Sequence, residues 1–157
     1  MPGRRLGRLV NPTVVAVALV VTALDALTKA WARRELTGHP VHVGGEIWLR
    51  LQYNSGVSFS LSAGRSLAAT VATLAVALAV VAVGVRAADG APAIGFGLLI
   101  GGGVANAVDR LAASPHRVTD FVALGAFPVF NLADAAITCG FVVLVVAALR
   151  GERLTRR

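Results

Sequence analysis

The chain has 157 residues, of which 56% are hydrophobic and only 15% charged, with a formal net charge of +7. That length suits one domain, and so few charged residues could barely cover a soluble surface of that size. The positive charge does not argue for nucleic acid: much of it sits in the two tails (Arg4, Arg5, Arg8, and Arg150, Arg153, Arg156, Arg157) rather than in a stripe, and Arg beside apolar runs sets membrane orientation and attracts anionic phospholipid.

A hydrocarbon core about 30 Å thick needs about 20 mostly apolar residues per helix. Four stretches meet that condition, at about residues 13–31, 66–85, 91–109 and 132–149. The pattern predicts an all-α membrane protein, a single membrane domain over residues 1–157 with four transmembrane helices and a small extracytoplasmic β-sheet or loop region. The Arg-rich start could be read as a cleaved signal peptide. The first apolar run, however, continues past Asp25 and Lys29, and three more runs follow, so it reads as a retained span. Arg86 joins the two tails on one side of the bilayer, and Arg33, Arg34, Arg50, Arg65, Arg110 and Arg117 fall on the other. The short tails carry most weight, so both termini are expected in the cytoplasm.

The outer loops then cover about residues 32–65 and 110–131. In the first, Glu46 to Asn54 alternates, with Ile47, Leu49, Leu51 and Tyr53 on one face and Trp48, Arg50, Gln52 and Asn54 on the other, a strand pattern. Gly44-Gly45 suits a hairpin turn back to Val41–Val43. Such a hairpin could cap the helices, or offer an edge to an extended peptide.

With this layout the polar residues gather at one depth. Asp25 and Lys29 lie in the outer half of span one, and Asn54 in the first loop. Asn106, Asp109 and Arg110 close span three, Asp120 lies in the second loop, and Asn131 and Asp134 open span four. Ionisable groups inside a membrane are costly and point to function. Asp25 and Lys29 are i,i+4 in the favourable order and read as a structural pair. Asp109 beside Arg110 reads the same way, since an adjacent cation holds a carboxylate ionised. Asp120 and Asp134 are each compatible with a helix cap or a loop acid. Together they could form a carboxylate pair in which one acts as base on water and the other as acid. Gly97, Gly101 and Ala105 suit close helix contact rather than a nucleotide loop. His39, His42 and His116 lack a ligand spacing, and no metal is expected. Cys139 is alone, so no intrachain disulfide forms, and it reads as a small packed hydrophobe.

Five stretches, taken together, resemble the lipoprotein signal peptidases (signal peptidase II), bacterial membrane aspartic proteases. Asp25 to Lys29 is similar to D-x-x-T-K, Asn54 to Ser60 to N-x-G-x-A-F-S, and Gly101 to Arg110 to G-G-A-x-G-N-x-x-D-R. Val118 to Phe121 is similar to V-x-D-F, and Phe130 to Asp134 to F-N-x-A-D. Ser58 and Ala105 depart from the pattern by small swaps. The resemblance implies Asp120 and Asp134 as the catalytic pair, supported by Asp25, Lys29, Asn54, Gly56, Asn106, Asp109, Arg110 and Asn131. It implies no cofactor and a diacylglyceryl-modified prolipoprotein substrate, cut just before the lipidated cysteine. It also implies a monomer in the bacterial inner membrane with its site at the extracytoplasmic face. A proton-coupled carrier and a non-enzymatic assembly factor that binds signal helices are the competing readings.

Overall fold

The computed structural model describes residues 10–54, 77–112 and 117–156. In chain order they form α1 (Pro12–Glu35), β1 (Val41–Gly44), β2 (Ile47–Asn54) and α2, described over residues 77–84. Then come α3 (Ala91–Ala112), β3 (Val118–Leu124), β4 (Phe127–Phe130) and α4 (Leu132–Leu149). Among the described residues three helices, α1, α3 and α4, are long and apolar enough to cross a membrane. The expected second span lies outside the described residues up to residue 76, and its remainder is helical to residue 84.

Asn11 starts α1. Its backbone is extended and its side chain accepts from the Thr13 amide at 2.9 Å, with Pro12 in the first turn, a favoured opening for a helix. The helix runs one turn beyond the expected end at Trp31, and Arg33 and Arg34 occupy its last turn, where the helix dipole favours cations. α3 likewise continues past Asp109 to Ala112.

α3 is the central helix. Half of its most apolar stretch is buried inside the molecule, against 22% for α1 and for α4. Its glycines permit this. A Cβ on Gly101 would lie 2.8 Å from the Ala18 carbonyl oxygen of α1, and one on Gly102 would lie 2.5 Å from the Ala133 carbonyl oxygen of α4. Adjacent glycines thus serve different neighbours, as expected for small residues in membrane helices. Leu19, Leu27, Phe141 and Leu149 point outward and are exposed. So is Cys139, which lies in an apolar groove between α1 and α4 rather than in the core.

The four strands form one antiparallel sheet in the order β1-β2-β3-β4. The expected hairpin of β1 and β2 is present, turning through Gly44 and Gly45, both at positive φ. Two features differ from the sequence reading. Residues 110–131 hold β3 and β4 rather than a plain loop. β3 is buried at almost every position, so its sequence V-T-D-F-V-A-L shows none of the alternation that marks a half-buried strand. The alternation of β2 also slips at a bulge between Leu49 and Gln52. Leu49 and Leu51 pack as expected, against Ala32, Leu36 and Phe121, whereas Ile47 and Tyr53 remain exposed. This cluster, with Trp31 edge-on to Phe121, fastens the sheet over one end of the helices.

At the other end, Asn11 donates from its backbone to Val85 O at 2.8 Å and from its side chain to Ala87 O at 3.0 Å. Ala87 also bridges to Thr155. Val14, Ala87, Ala93 and Phe96 fill the space between these segments.

Candidate active site

The sheet end of the bundle holds a polar network whose members are mostly buried. Asp25, Lys29 and Asp120 are each 1% exposed, Asn131 is fully buried, and Asn106 is nearly so. Buried charges persist only when paired and hydrogen-bonded, and among the described residues every buried side-chain nitrogen or oxygen has a partner.

α1 contributes the cations. Lys29 Nζ lies 2.6 Å from Asp25 Oδ2 and 3.3 Å from Asp109 Oδ2, and it donates to Asn106 Oδ1 at 2.9 Å. The i,i+4 pair expected from the sequence is therefore present. Asp25 also crosses to α4, where its Oδ1 accepts the Ala133 amide at 2.9 Å. That amide belongs to the first turn of α4, which has no partner within its own helix. Asp109 is held by Lys29, by Arg33 at 3.7 Å, and by the Thr119 amide at 2.9 Å. Lys29 and Arg33 of α1 are thus cations at Asp109, contacts that the sequence reading did not include. Arg110 itself is exposed on the last turn of α3.

Asp134 is indeed a capping residue. Asn131 caps α4, its side-chain oxygen accepting the Asp134 amide at 2.9 Å while Asp134 Oδ2 accepts the Asn131 amide at 3.2 Å, a reciprocal capping box. The bland reading and the functional one coexist, because Asp134 Oδ1 has a further partner, Asn106 Nδ2 at 2.8 Å.

Asp120 projects from β3. Its Oδ1 accepts from Asn131 Nδ2 at 2.6 Å, and its Oδ2 accepts from Asn54 Nδ2 of β2 at 3.1 Å. Asn131 also donates to Asn106 Oδ1 at 3.3 Å. Asn131 therefore touches both acids, Asp120 through its side chain and Asp134 through its backbone amide. The two carboxyls come from β3 and α4, elements separated in the chain only by β4, and lie at one end of the bundle. Burial pushes the Asp120 carboxyl above the usual carboxylate range. The hydrogen bonds from Asn54 and Asn131 oppose that shift, the negative charge of Asp134 adds to it, and Lys29 opposes it. Desolvation and a second carboxylate are two established causes of a raised carboxyl pKa.

Of the residues singled out from the sequence, the structure brings together Asp25, Lys29, Asn54, Asn106, Asp109, Asp120, Asn131 and Asp134. Gly56 lies outside the described residues, as does His116. His42 stacks against Trp48 on the hairpin. Two residues of the network were missed. Arg33 was counted only for topology, although it continues the Asp25–Lys29 stripe by four residues. Thr119 had no sequence signal beyond its place beside Asp120.

Membrane-length helices closed over an internal acid-and-amide network, with a four-stranded sheet above, define a membrane protein built around a polar site. Two solved structures, each described as a bacterial membrane enzyme structure by the in meso method, share this fold. One has a TM-score of 0.75 at 24% identity and covers 87% of this chain and 92% of its own. The other has a TM-score of 0.73 at 24% identity and covers 88% of each. The family described as Signal peptidase (SPase) II matches residues 17–150. A lipoprotein signal peptidase of Rhodococcus jostii is 40% identical over 86% of this chain and 71% of the relative. That of Mycolicibacterium smegmatis is 38% identical over 96% and 64%, and that of Mycobacterium avium 35% over 96% and 83%. The chain belongs to the signal peptidase II family, and the peptidase activity expected from its motifs agrees with that membership.

Proposed function

We propose that the protein is a membrane aspartic endopeptidase that removes the signal peptide from diacylglyceryl-modified prolipoproteins, cutting just before the lipidated cysteine, with Asp120 and Asp134 as its catalytic pair. The observation that carries this reading is the double contact of Asn131, whose side chain holds Asp120 at 2.6 Å while its backbone amide holds Asp134 at 3.2 Å. Two carboxyls tied to one residue can address one water and one carbonyl group. Family membership favours neither a carrier nor a non-enzymatic assembly factor.

The environments suggest a division of labour. Asp134 sits in the first turn of α4, where the helix dipole favours an anion, and accepts two N–H donors. It serves as base. Asp120, buried and held by Asn54 and Asn131, serves as acid. Asp134 takes a proton from water as the water oxygen bonds to the scissile carbonyl carbon. The Asp120 proton passes to the carbonyl oxygen. Collapse of the tetrahedral species breaks the C–N bond, the proton held by Asp134 goes to the leaving nitrogen, and one hydroxyl returns its proton to Asp120 as the new carboxyl group forms. Asn54, Asn106 and Asn131 orient the two acids without adding charge. Asp25, Lys29, Asp109 and Arg110 serve as scaffold, and Gly56 belongs to the same set by its motif.

The surroundings suit a lipidated substrate. A wholly apolar groove of about 520 Å³ between α1, α3 and α4 reaches Leu24 and Leu132, the chain neighbours of Asp25 and Asn131. Acyl chains lodged there gain about 0.8 kcal/mol per buried methylene. The Arg-rich tails support a reading with both termini cytoplasmic and the site at the extracytoplasmic face of the inner membrane. The chain acts as a monomeric single membrane domain in contact with phospholipid. The test is incubation of purified protein with a diacylated prolipoprotein and measurement of product mass. Asp120→Asn and Asp134→Asn are expected to fold and to lose cleavage; near-normal processing by either folded variant removes that residue from the pair.

A further inference from the structure

Two cations one turn apart on α1 meet at Asp109 and diverge beyond it. Lys29 donates to Asn106, and Asn106 in turn donates to Asp134. Arg33 serves the other branch. Its Nη1 donates to Thr119 Oγ1 at 2.9 Å and lies 3.7 Å from Asp109 Oδ1. Thr119 is 3% exposed, and its amide donates to Asp109 Oδ2 at 2.9 Å. The hydroxyl and the amide of the residue immediately before Asp120 are therefore tied to helices, the hydroxyl to α1 and the amide to α3. Arg33, Asp109 and Thr119 close a three-cornered latch across α1, α3 and β3.

The latch has a mechanical consequence. Asp120 is otherwise oriented by Asn54 and Asn131, which act on its carboxyl group, and β3 is held within the sheet by its ladders with β2 and β4; the latch adds polar ties from β3 to α1 and α3. A displacement of about 1 Å at a reacting group can cost about a hundredfold in rate. The guanidinium is suited to this post, because its planar array of donors can satisfy a hydroxyl and a carboxylate together, whereas an ammonium is a point charge. Arg33 lies outside all five family-like stretches, the nearest of which ends at Lys29.

We propose that Arg33 is a positioning residue for the peptidase reaction, holding β3 through Thr119 and Asp109 so that the Asp120 carboxyl stays in register with Asp134. The inference rests on the reading of Asp120 as catalytic. The test measures kcat and KM on a diacylated prolipoprotein peptide, with full-length protein in detergent, for Arg33→Ala, Arg33→Lys, Thr119→Val, Thr119→Ser and the double variant Arg33→Ala/Thr119→Val. Thermal melting is followed in parallel.

Arg33→Ala and Thr119→Val should each lower kcat by about 10-fold or more with KM within about twofold, since the loss falls on geometry at the reacting centre. Thr119→Ser keeps the hydroxyl and should retain activity, and Arg33→Lys should recover only part. The double variant should be no worse than the poorer single, because both changes open the same latch. Unchanged kcat in a folded Arg33→Ala, a loss confined to KM, or additive losses in the double variant would overturn the proposal. If Arg33→Ala fails to fold, the contrast between Thr119→Val and Thr119→Ser decides alone: equal kcat in the two overturns it. Asp120→Asn, run alongside, separates the two layers. An inactive Asp120→Asn beside a fully active Arg33→Ala rejects only the latch, whereas an active Asp120→Asn rejects the catalytic reading beneath it.

Discussion

Replacing Lys29 by Met tests whether the buried charges are held as a set. Lys29 is 1% exposed and contacts two carboxylates and one amide, Asp25 at 2.6 Å, Asp109 at 3.3 Å and Asn106 at 2.9 Å. Methionine of similar length fills the space but leaves Asp25, also 1% exposed, with only the Ala133 amide. Asp109 is better insured, because Arg33 and the Thr119 amide remain. The damage therefore concentrates at Asp25, and removing one partner of a buried ion pair costs about 3–5 kcal/mol. Asp25→Asn is milder. The amide oxygen can still accept from Ala133, and Lys29 keeps Asp109, so the loss is that of one charge-assisted bond, about 1.5–3 kcal/mol. The double variant Asp25→Asn/Lys29→Met removes both charges, and it should lose at least 1 kcal/mol less than the sum of the singles. Equilibrium unfolding in mixed detergent–SDS micelles, followed by circular dichroism, reads all three. Strict additivity, or a Lys29→Met protein as stable as the parent, would refute the claim that this ammonium is what makes the Asp25 charge tolerable.

Other expectations follow from the same geometry. Gly102→Ala places a methyl about where the Ala133 carbonyl oxygen lies, 2.5 Å from it; it should cost about 1–3 kcal/mol by overpacking and lower peptidase activity by pushing the start of α4 and Asp134 away, as a melting curve and a kcat measurement will show. Asn131→Ala removes the cap of α4, worth about 0.5–2 kcal/mol, and the shortest contact to Asp120, so activity should fall far more than stability. Asp120 gives a pH signature. Its folded carboxyl is raised above the ordinary value, chiefly by burial, so the folded state binds the proton more tightly than the unfolded state does. Its stabilising contribution is then full below the ordinary carboxylate pKa and is lost as pH rises through the folded value. Asp120→Asn should abolish that slope and leave the protein at least as stable as the parent at neutral pH, measured by melting across the pH range; a steeper slope in the variant contradicts the burial argument.

Much of the site was legible because helices repeat their spacing faithfully. Asp25 and Lys29 pair at i,i+4, and the Asn131–Asp134 spacing is that of a capping box, both recoverable from residue numbers alone. The glycine spacing of α3 likewise announced its close neighbours. What stayed hidden was long-range. β3 is covered on both faces, so burial erased the periodic signal that would have marked it as a strand. The bulge in β2 shifts register at a point that no local residue type betrays. The ties of Asp109 to Lys29 and Arg33 were not foreseen, because the packing of α1 on α3 brings those residues in from far along the chain. Arg33 could have been found by extending the Asp25–Lys29 stripe by one more turn.

The distribution of partners carries the final step of the argument. The cations of α1 contact Asp25 and Asp109, and the amides Asn54, Asn106 and Asn131 contact Asp120 and Asp134. A carboxylate beside a cation gains an ionic tie, whereas one held only by neutral N–H donors is oriented without a countercharge. A low-dielectric surrounding magnifies both effects. The same sorting therefore meets two opposed needs within one bundle end. The ion-paired acids tie the helices together, and the amide-held acids are the pair proposed to act on substrate. Moving a cation into the second set, as in Asn54→Lys or Asn106→Lys, should place a fixed ion pair at the proposed catalytic acids and stop hydrolysis in a protein that still folds, which kcat and melting measurements on the same sample would reveal.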